Sequence, residues 1–527
     1  MKKILPSLLL VLTLASCAGG AGLRSAEALA DSDSIETLPD ILPLPDTAYA
    51  SAADVVYKTD VLLDNVSGQL TDFADRYKDA PGHFTFRGNL LRDADFGGRV
   101  QGTPSRIDTA WIFKTDVDMT ETKYGTWGGG TGWTGQPLYV HWDSAHFSKQ
   151  KQTARGLTPD FGAEEIIFGS LCSRIYFLNF NTGKPSRDTL DAGNPIKGTG
   201  SLDPDLEGNL YYGQGVPRGA DFGHEAFDIN AHSRFYFWNH DYKAYRHWDA
   251  YDSSPVAVGQ FLFWPGENGT IYKYVRTPGR LQLHSTFRYT IKGDGMGAGI
   301  ENSLCVYRNY GFFGDNHGDI VCLNLNTLRP VWHYDNLDDI DGTLVCEVQD
   351  DVPYLYSGCE VDLQGDSGIC KIVKLNGLTG EEVWKQTVPC TKVTKEETKK
   401  HFDGGMYCSP LLGHGDSEGL LFLSVCNDRG AGTGTFLTID RKTGEILRRT
   451  PLKHYAWSSP VAFYNEKNEL FIFQADTAGY GYLLRGKTGE VLFSKRLGEN
   501  FESSPVVVGN SLVVGSRGQS IYRFRVF

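Results

Sequence analysis

The chain has 527 residues and a formal charge of −13, with 22% of its residues charged. Its one locally basic stretch, Lys392 to Lys400, is interrupted by Glu396 and Glu397 and reads as a solvated loop. Phosphate binding needs a concentrated basic face, so this balance excludes nucleic acid as a partner.

At the start of the chain, Lys2 and Lys3 precede an apolar run from Ile4 to Leu14. That run is shorter than the roughly 20 residues a spanning helix needs, and it suits the core of a signal peptide. It ends in Leu14-Ala15-Ser16-Cys17, which resembles the bacterial lipobox. The resemblance implies a lipoprotein signal peptide over residues 1–16 and a lipid, palmitate included, on Cys17. Ala18 and Gly19 follow, with no Asp, which implies the outer membrane. No acidic cluster stands after Cys17, so the periplasmic face is expected, with the lipid as the only membrane contact. Residues 17–82 then read as the lipidated cysteine and a tether. Ala18 to Ala30 is mostly small residues, and Pro43 and Pro45 suit a spacer. Val61, Leu62, Val66, Leu70 and Phe73 predict a weak amphipathic helix within Val55 to Tyr77, interrupted by Gly68.

Four Ser-Pro marks follow, at Ser254-Pro255, Ser409-Pro410, Ser459-Pro460 and Ser504-Pro505. Each opens a block of the same order: an apolar strand, a turn, a strand rich in Tyr, Phe, Leu and Ile, and a last strand. Thr-Gly turns stand at Thr182-Gly183, Thr379-Gly380, Thr443-Gly444 and Thr488-Gly489. The later marks are 50 and 45 residues apart, while 155 residues from Pro255 to Pro410 fit three periods and 118 from Pro137 to Pro255 fit two. Less regular starts fall near Gly200-Ser201, Ile300-Glu301 and Gly342-Thr343. Repeats of about 40–50 residues with four short strands describe a propeller. The expected fold is all-β: one propeller over residues 83–527 with eight four-stranded blades, seven being the runner-up. The last block, Ser503 to Phe527, has room for only three strands. Thr109 to Lys114 supplies the fourth, and pairing of N- and C-terminal segments removes an open edge.

Phe84-Thr85-Phe86-Arg87-Gly88-Asn89, Thr109 to Phe113 and Leu375 to Trp384 resemble the PQQ-type (quinoprotein-like) propellers. The resemblance implies that Trp111, Trp332 and Trp384 dock neighbouring blades. Quinone-dependent alcohol dehydrogenases of this type hold their cofactor with an adjacent Cys-Cys disulfide, a stacking Trp and a calcium site of Glu, Asn and Asp. No two cysteines are adjacent in this sequence. The chain also resembles, in anchor, blade type and lack of a catalytic motif, the propeller lipoprotein of the outer-membrane barrel-assembly machine. That resemblance implies a non-catalytic, membrane-anchored binding or assembly scaffold, monomeric, presenting loops to an envelope protein partner, with no cofactor. A carbohydrate-binding envelope protein and a PQQ-dependent dehydrogenase-like enzyme are the alternatives.

Two groups of candidate binding residues emerge. Asp252 and Glu502 stand two residues before the Ser of their marks, with Tyr407 and Trp457 at the matched positions. Asp203, Glu301, Asp341 and Asp403 lie near other block starts. Inner strands line a propeller's channel, so these residues predict a negative rim suited to a cation or a basic segment. Trp127, Trp133 and Trp142 belong to long insertions at Gly125 to Gly132 and Asp143 to Glu164, or flank them. They form a candidate aromatic loop that could stack on sugars; further insertions run from Gly215 to His224 and Pro389 to Gly404. His224-Glu225, His240-Asp241, and His317 with Asp315 and Asp319 read as polar loops rather than a metal or acid–base site. No catalytic residue and no metal ligand is assigned. Nine cysteines follow Cys17, an odd number, and Cys359 with Cys370 is the expected disulfide pair.

Overall fold

The computed structural model describes residues 48–219, 221–295, 297–395 and 400–527. The signal peptide, Cys17 and the first part of the tether lie outside the described residues. Eight four-stranded antiparallel blades form a propeller. Blades 1 to 7 span 138–191, 201–238, 256–291, 305–335, 345–391, 411–452 and 461–496. Blade 8 takes three strands from 506–526 and its outer strand, Ile107–Lys114, from the N-terminal side. Ile107 pairs with Val526 and Trp111 with Arg523, so the ring closes as the sequence predicts. The core lies between blades, built from inner and middle strands such as Leu420–Cys426 and Leu470–Ala475. Outer strands are half wet. Ile446–Leu452 alternates between covered and exposed side chains, as a two-residue period requires.

Three devices hold the blades together. The first explains the Ser-Pro marks. The amide of Ser409 donates to the Ser459 hydroxyl (3.0 Å), and that of Ser459 to Ser504 (3.1 Å). The amides of Ser254 and Ser303 donate to Ser303 and Thr343 in turn (2.9 Å each). Hydroxyls therefore link successive inner strands around the channel. The second device is the segment Phe84 to Arg92, which crosses the channel. The Arg87 guanidinium donates to the carbonyls of Pro460 (2.9 Å) and Pro410 (2.6 Å), in blades 7 and 6. Arg92 donates to Leu304 (2.9 Å) and Ser254 (3.3 Å), on the other side of the ring. Both arginines are fully buried.

The third device is the tryptophan dock. The indole N–H of Trp111 donates to the Phe180 carbonyl, that of Trp332 to Gly377, and that of Trp384 to Arg441, at 2.8–2.9 Å. Each ring covers the glycine three residues further on: Gly183, Gly380 or Gly444. A Cβ there would stand 2.6–2.7 Å from the ring. These glycines also have φ of +70° to +77°, which other residues avoid.

Three expectations need correction, and one insertion gains a helix. Val55 to Tyr77 is not an amphipathic helix. Val55–Val61 is a strand paired with Arg280–Ile291 at the outer edge of blade 3, preceded by a short 3-10 helix, Ala50–Asp54, and followed by the one-turn helix Arg76–Asp79. Residues 48–82 are not a free tether either. Leu70 and Tyr77 are buried, Leu70 N donates to Asn326 (2.6 Å), and Ala257 N donates to the Tyr77 hydroxyl (2.9 Å). The insertion after Trp142 carries a helix, Ser144–Thr153, capped by Asp143, which accepts from Ala145 N and His146 N. Finally, Cys359 and Cys370 are buried free thiols. Cys359 instead accepts from Lys371 N and donates to the Ile369 carbonyl.

Candidate functional site

The channel mouth is built by a single repeated position. Four residues before its inner strand, each of blades 2 to 8 supplies one side chain: Lys197, Asp252, Glu301, Asp341, Tyr407, Trp457 and Glu502. The hydroxyl of the inter-blade link, or its matched residue, follows two positions later. Except for Asp252, these side chains join Trp127, Trp133 and Arg517 around a cavity of about 200 Å³. Blades 6 and 7 form an aromatic arc, in which Tyr407 and Trp457 stack with centroids 5.0 Å apart. Trp133 completes it by donating its indole N–H to the Tyr407 carbonyl (3.3 Å). Trp127 lies under the Arg517 guanidinium (5.4 Å), and Arg517 reaches Glu502 at 3.7 Å.

The opposite arc is acidic. Asp252, Glu267 and Glu301 form one group of carboxylates whose ligand atoms lie within 4.8 Å of one another; Asp339, Asp341 and Glu360 form a second. Lys197 forms an ion pair with Asp252. Burial opposes its ammonium charge, yet Asp252, Glu267 and Glu301 carry the Lys197 pKa above its ordinary value. Trp248 donates its indole N–H to Glu267 (2.7 Å). Burial first, and then Glu301, pushes the Glu267 pKa well up. Burial and the neighbouring carboxylates do the same for Asp339, Asp341 and Glu360. Glu502 is also raised by burial, with Arg517 opposing.

Of the rim residues, Glu502, Tyr407 and Trp457 therefore line one cavity together with Glu301 and Asp341, while Asp252 is buried behind it, paired with Lys197. Asp203 and Asp403 do not join them: Asp203 pairs with Arg276 (2.5 Å) and Asp403 with Lys392 (3.3 Å). Trp127 and Trp133 reach the mouth. Trp142 does not: it is buried in blade 1, donating to Glu165 (2.7 Å), which pairs with Arg187 (2.9 Å). Its ring cannot stack on a sugar. His224 and Glu225 lie in a buried strand, His224–Asp228, rather than a loop. His240 pairs with Asp249. The His317 segment is a hairpin turn in which Asp315 accepts from the amides of His317 and Asp319 (3.0 Å each).

Sequence reasoning missed Lys197, Glu267, Asp339, Glu360 and Arg517. Lys197 had a usable signal, the hydroxyl two residues later at Thr199. Glu267 lies in the tight turn between the strands Phe261–Gly266 and Thr270–Thr277.

No known protein-family profile matches this chain, and no curated protein matches it. Solved structures do. Quinohemoprotein alcohol dehydrogenase ADHIIG from Pseudomonas putida HK5 is 12% identical with a TM-score of 0.57, covering 85% of this chain and 81% of that one. The quinohemoprotein alcohol dehydrogenase of Comamonas testosteroni is 13% identical with a TM-score of 0.56, covering 84% and 80%. This chain has the propeller fold of those proteins. BamB from Moraxella catarrhalis is 15% identical with a TM-score of 0.47, covering 70% of this chain and 95% of that one. At such identities the likeness is one of fold alone.

The resemblance to quinone-dependent dehydrogenases would bring a quinone and a calcium ion, and the residues of the mouth suit only one of the two. The chain has no adjacent cysteines to form the expected disulfide. Lys197 and Arg517, the cations that would meet an anionic quinone, already answer Asp252 and Glu502. The quinone therefore does not fit. A hard cation does, because oxygens of Asp339 and Glu360 are buried without a hydrogen-bond partner.

Proposed function

We propose that this chain is a non-catalytic binding scaffold of the cell envelope, held at the outer membrane through Cys17 and facing the periplasm. Its ligand seat is the channel mouth, and its ligand is a basic segment of a protein partner. One observation carries this reading: a single position, repeated blade after blade, sets an acidic arc against an aromatic one around one cavity. Such a surface favours a cationic side chain on an apolar stem, through charge and cation–π attraction together.

The test is fluorescence anisotropy of the purified full chain in detergent with a labelled Lys/Arg-rich peptide and an acidic control. Glu301→Gln with Glu502→Gln should weaken the basic peptide at least tenfold at low salt. Reversing Asp252 would be a poor probe, because it would set two buried cations side by side. Equal binding of both peptides would overturn the reading. The aromatic arc supports carbohydrate as the second reading. Oligosaccharide binding lost in Trp457→Ala but retained in the carboxylate pair would select it. For the anchor, Cys17→Ser should abolish lipid labelling and release the exported protein from membranes. The dehydrogenase alternative requires PQQ retained through gel filtration and dye reduction with alcohols, and the poor fit of the mouth to a quinone weighs against both.

A further inference from the structure

We propose that Asp339, Asp341 and Glu360 form a binding site for one hard divalent cation, with calcium as the probe, on the blade 5 side of the mouth. The ligand atoms of these three carboxylates lie within 4.8 Å of one another. Oxygens on opposite sides of a bound calcium ion stand about 4.6–5.2 Å apart, twice the metal–oxygen distance. The group is thus already spaced for coordination. All donors are oxygens, which suits calcium, magnesium or manganese rather than a thiolate- or imidazole-seeking metal.

Charge separates this group from its neighbour. Beside Asp252, Glu267 and Glu301 the protein supplies its own cation in contact, since Lys197 pairs with Asp252; Lys197 acts on Asp341 only through space, without an ion pair. Among the described residues no Lys, Arg or His forms an ion pair with Asp339, Asp341 or Glu360. Glu360 is only 3% exposed, and its Oε1 has no hydrogen-bond partner; Asp339 Oδ1 also lacks one. Buried carboxylates are paired, protonated or bound to metal. Asp339 and Asp341 remain half-buried, which leaves room for water ligands and a route in.

The surrounding chain is fixed without an ion. Asp338 accepts from the amides of Asp362 (3.0 Å), Leu363 (2.9 Å), Gln364 (3.1 Å) and Asp339 (2.9 Å). Glu360 N donates to the Asp339 carbonyl (2.8 Å). Asp338 is saturated by amides, so it sets the loop rather than competing for the ion. This site needs neither a quinone nor a protein partner, and it goes beyond the scaffold reading. Failure of either leaves the other standing.

The test is calorimetric titration of the chelator-treated full chain in detergent with calcium, together with thermal unfolding with and without about 1 mM calcium, the range of weak exported calcium sites. One ion should bind, and the unfolding temperature should rise by several degrees. Asp341→Asn with Glu360→Gln should abolish both effects while unfolding without calcium at or above the wild-type temperature, since it removes mutual repulsion. That second readout separates loss of a site from loss of the fold. Asp339→Asn alone should weaken binding at least tenfold. The proposal is overturned if the folded wild type binds no calcium, or if binding survives the double variant.

Discussion

Trp332 shows how much one residue can fasten in this fold. Its ring is fully buried, its N–H is satisfied by Gly377, and Gly380 presents a flat backbone for it to cover. Trp332→Ala should cost about 3–5 kcal/mol, the usual range for a buried aromatic, in denaturant unfolding followed by circular dichroism. Gly380→Ala should also destabilise, because it meets the same ring and must adopt φ of +76°. Glu225 makes a different kind of prediction. It is fully buried, and burial raises its pKa to about 8 against the opposing pull of Arg234. The folded state holds this proton more tightly than the unfolded chain, whose Glu titrates near about 4.3. Its contribution therefore falls as pH rises from about 4.3 to about 8. Relative to wild type, Glu225→Gln should be more stable at pH 9 than at pH 5 in paired melts. A constant difference across that range would contradict the assignment.

At the scale of the element, the legible features were those written in short-range chemistry. Thr-Gly turns and outer-strand tryptophans gave the docks, and Ser-Pro marks gave four blade starts. The marks were only partly understood, however. The hydroxyl is what links inner strands, and the proline is incidental. Blades 4 and 5 keep Ser303 and Thr343 without proline. Searching for the hydroxyl would have added Lys197 to the mouth and separated Glu301 and Asp341 from Asp203 and Asp403, which do not reach it. Glu267, Asp339 and Glu360 left no such trace, because the chain folds them in from hairpins and loops whose direction depends on the assembled ring. The strand Val55–Val61 was misread for a related reason. Its apolar residues have near-helical spacing, but Val61 and Leu62 are 61% and 52% exposed, whereas Val55, Leu70 and Tyr77 are buried. An available blade edge overrode a weak local pattern. A chain starting at residue 48 keeps the docked segment. One starting at residue 83 should melt several degrees lower, since burial of Leu70 and Tyr77 is worth about 1.5–3 kcal/mol each. Differential scanning fluorimetry of the pair distinguishes a docked segment from a passive tether, for which the two melts would coincide.

For the whole molecule, closure was readable because an incomplete last block demands a strand from elsewhere, and Ile107–Lys114 provides it. Removing residues 83–116 should leave blade 8 with an open edge and yield oligomers by light scattering. A monomeric, cooperatively folding product would refute the closure as an energetic necessity. The same deletion removes the segment from Phe84 to Arg92, whose arginines bridge blades on opposite sides of the channel just beneath the mouth. That bridge turns the ring into a cup with a floor. A polymer cannot be threaded through this molecule as a rope through a pulley. Whatever occupies the mouth must present a tip, whether a chain end, a hairpin or a sugar terminus, and must leave by the side it entered. The depth of the cup then sets how much of a partner can be read: a few residues at most, with everything beyond them judged by the outer loops.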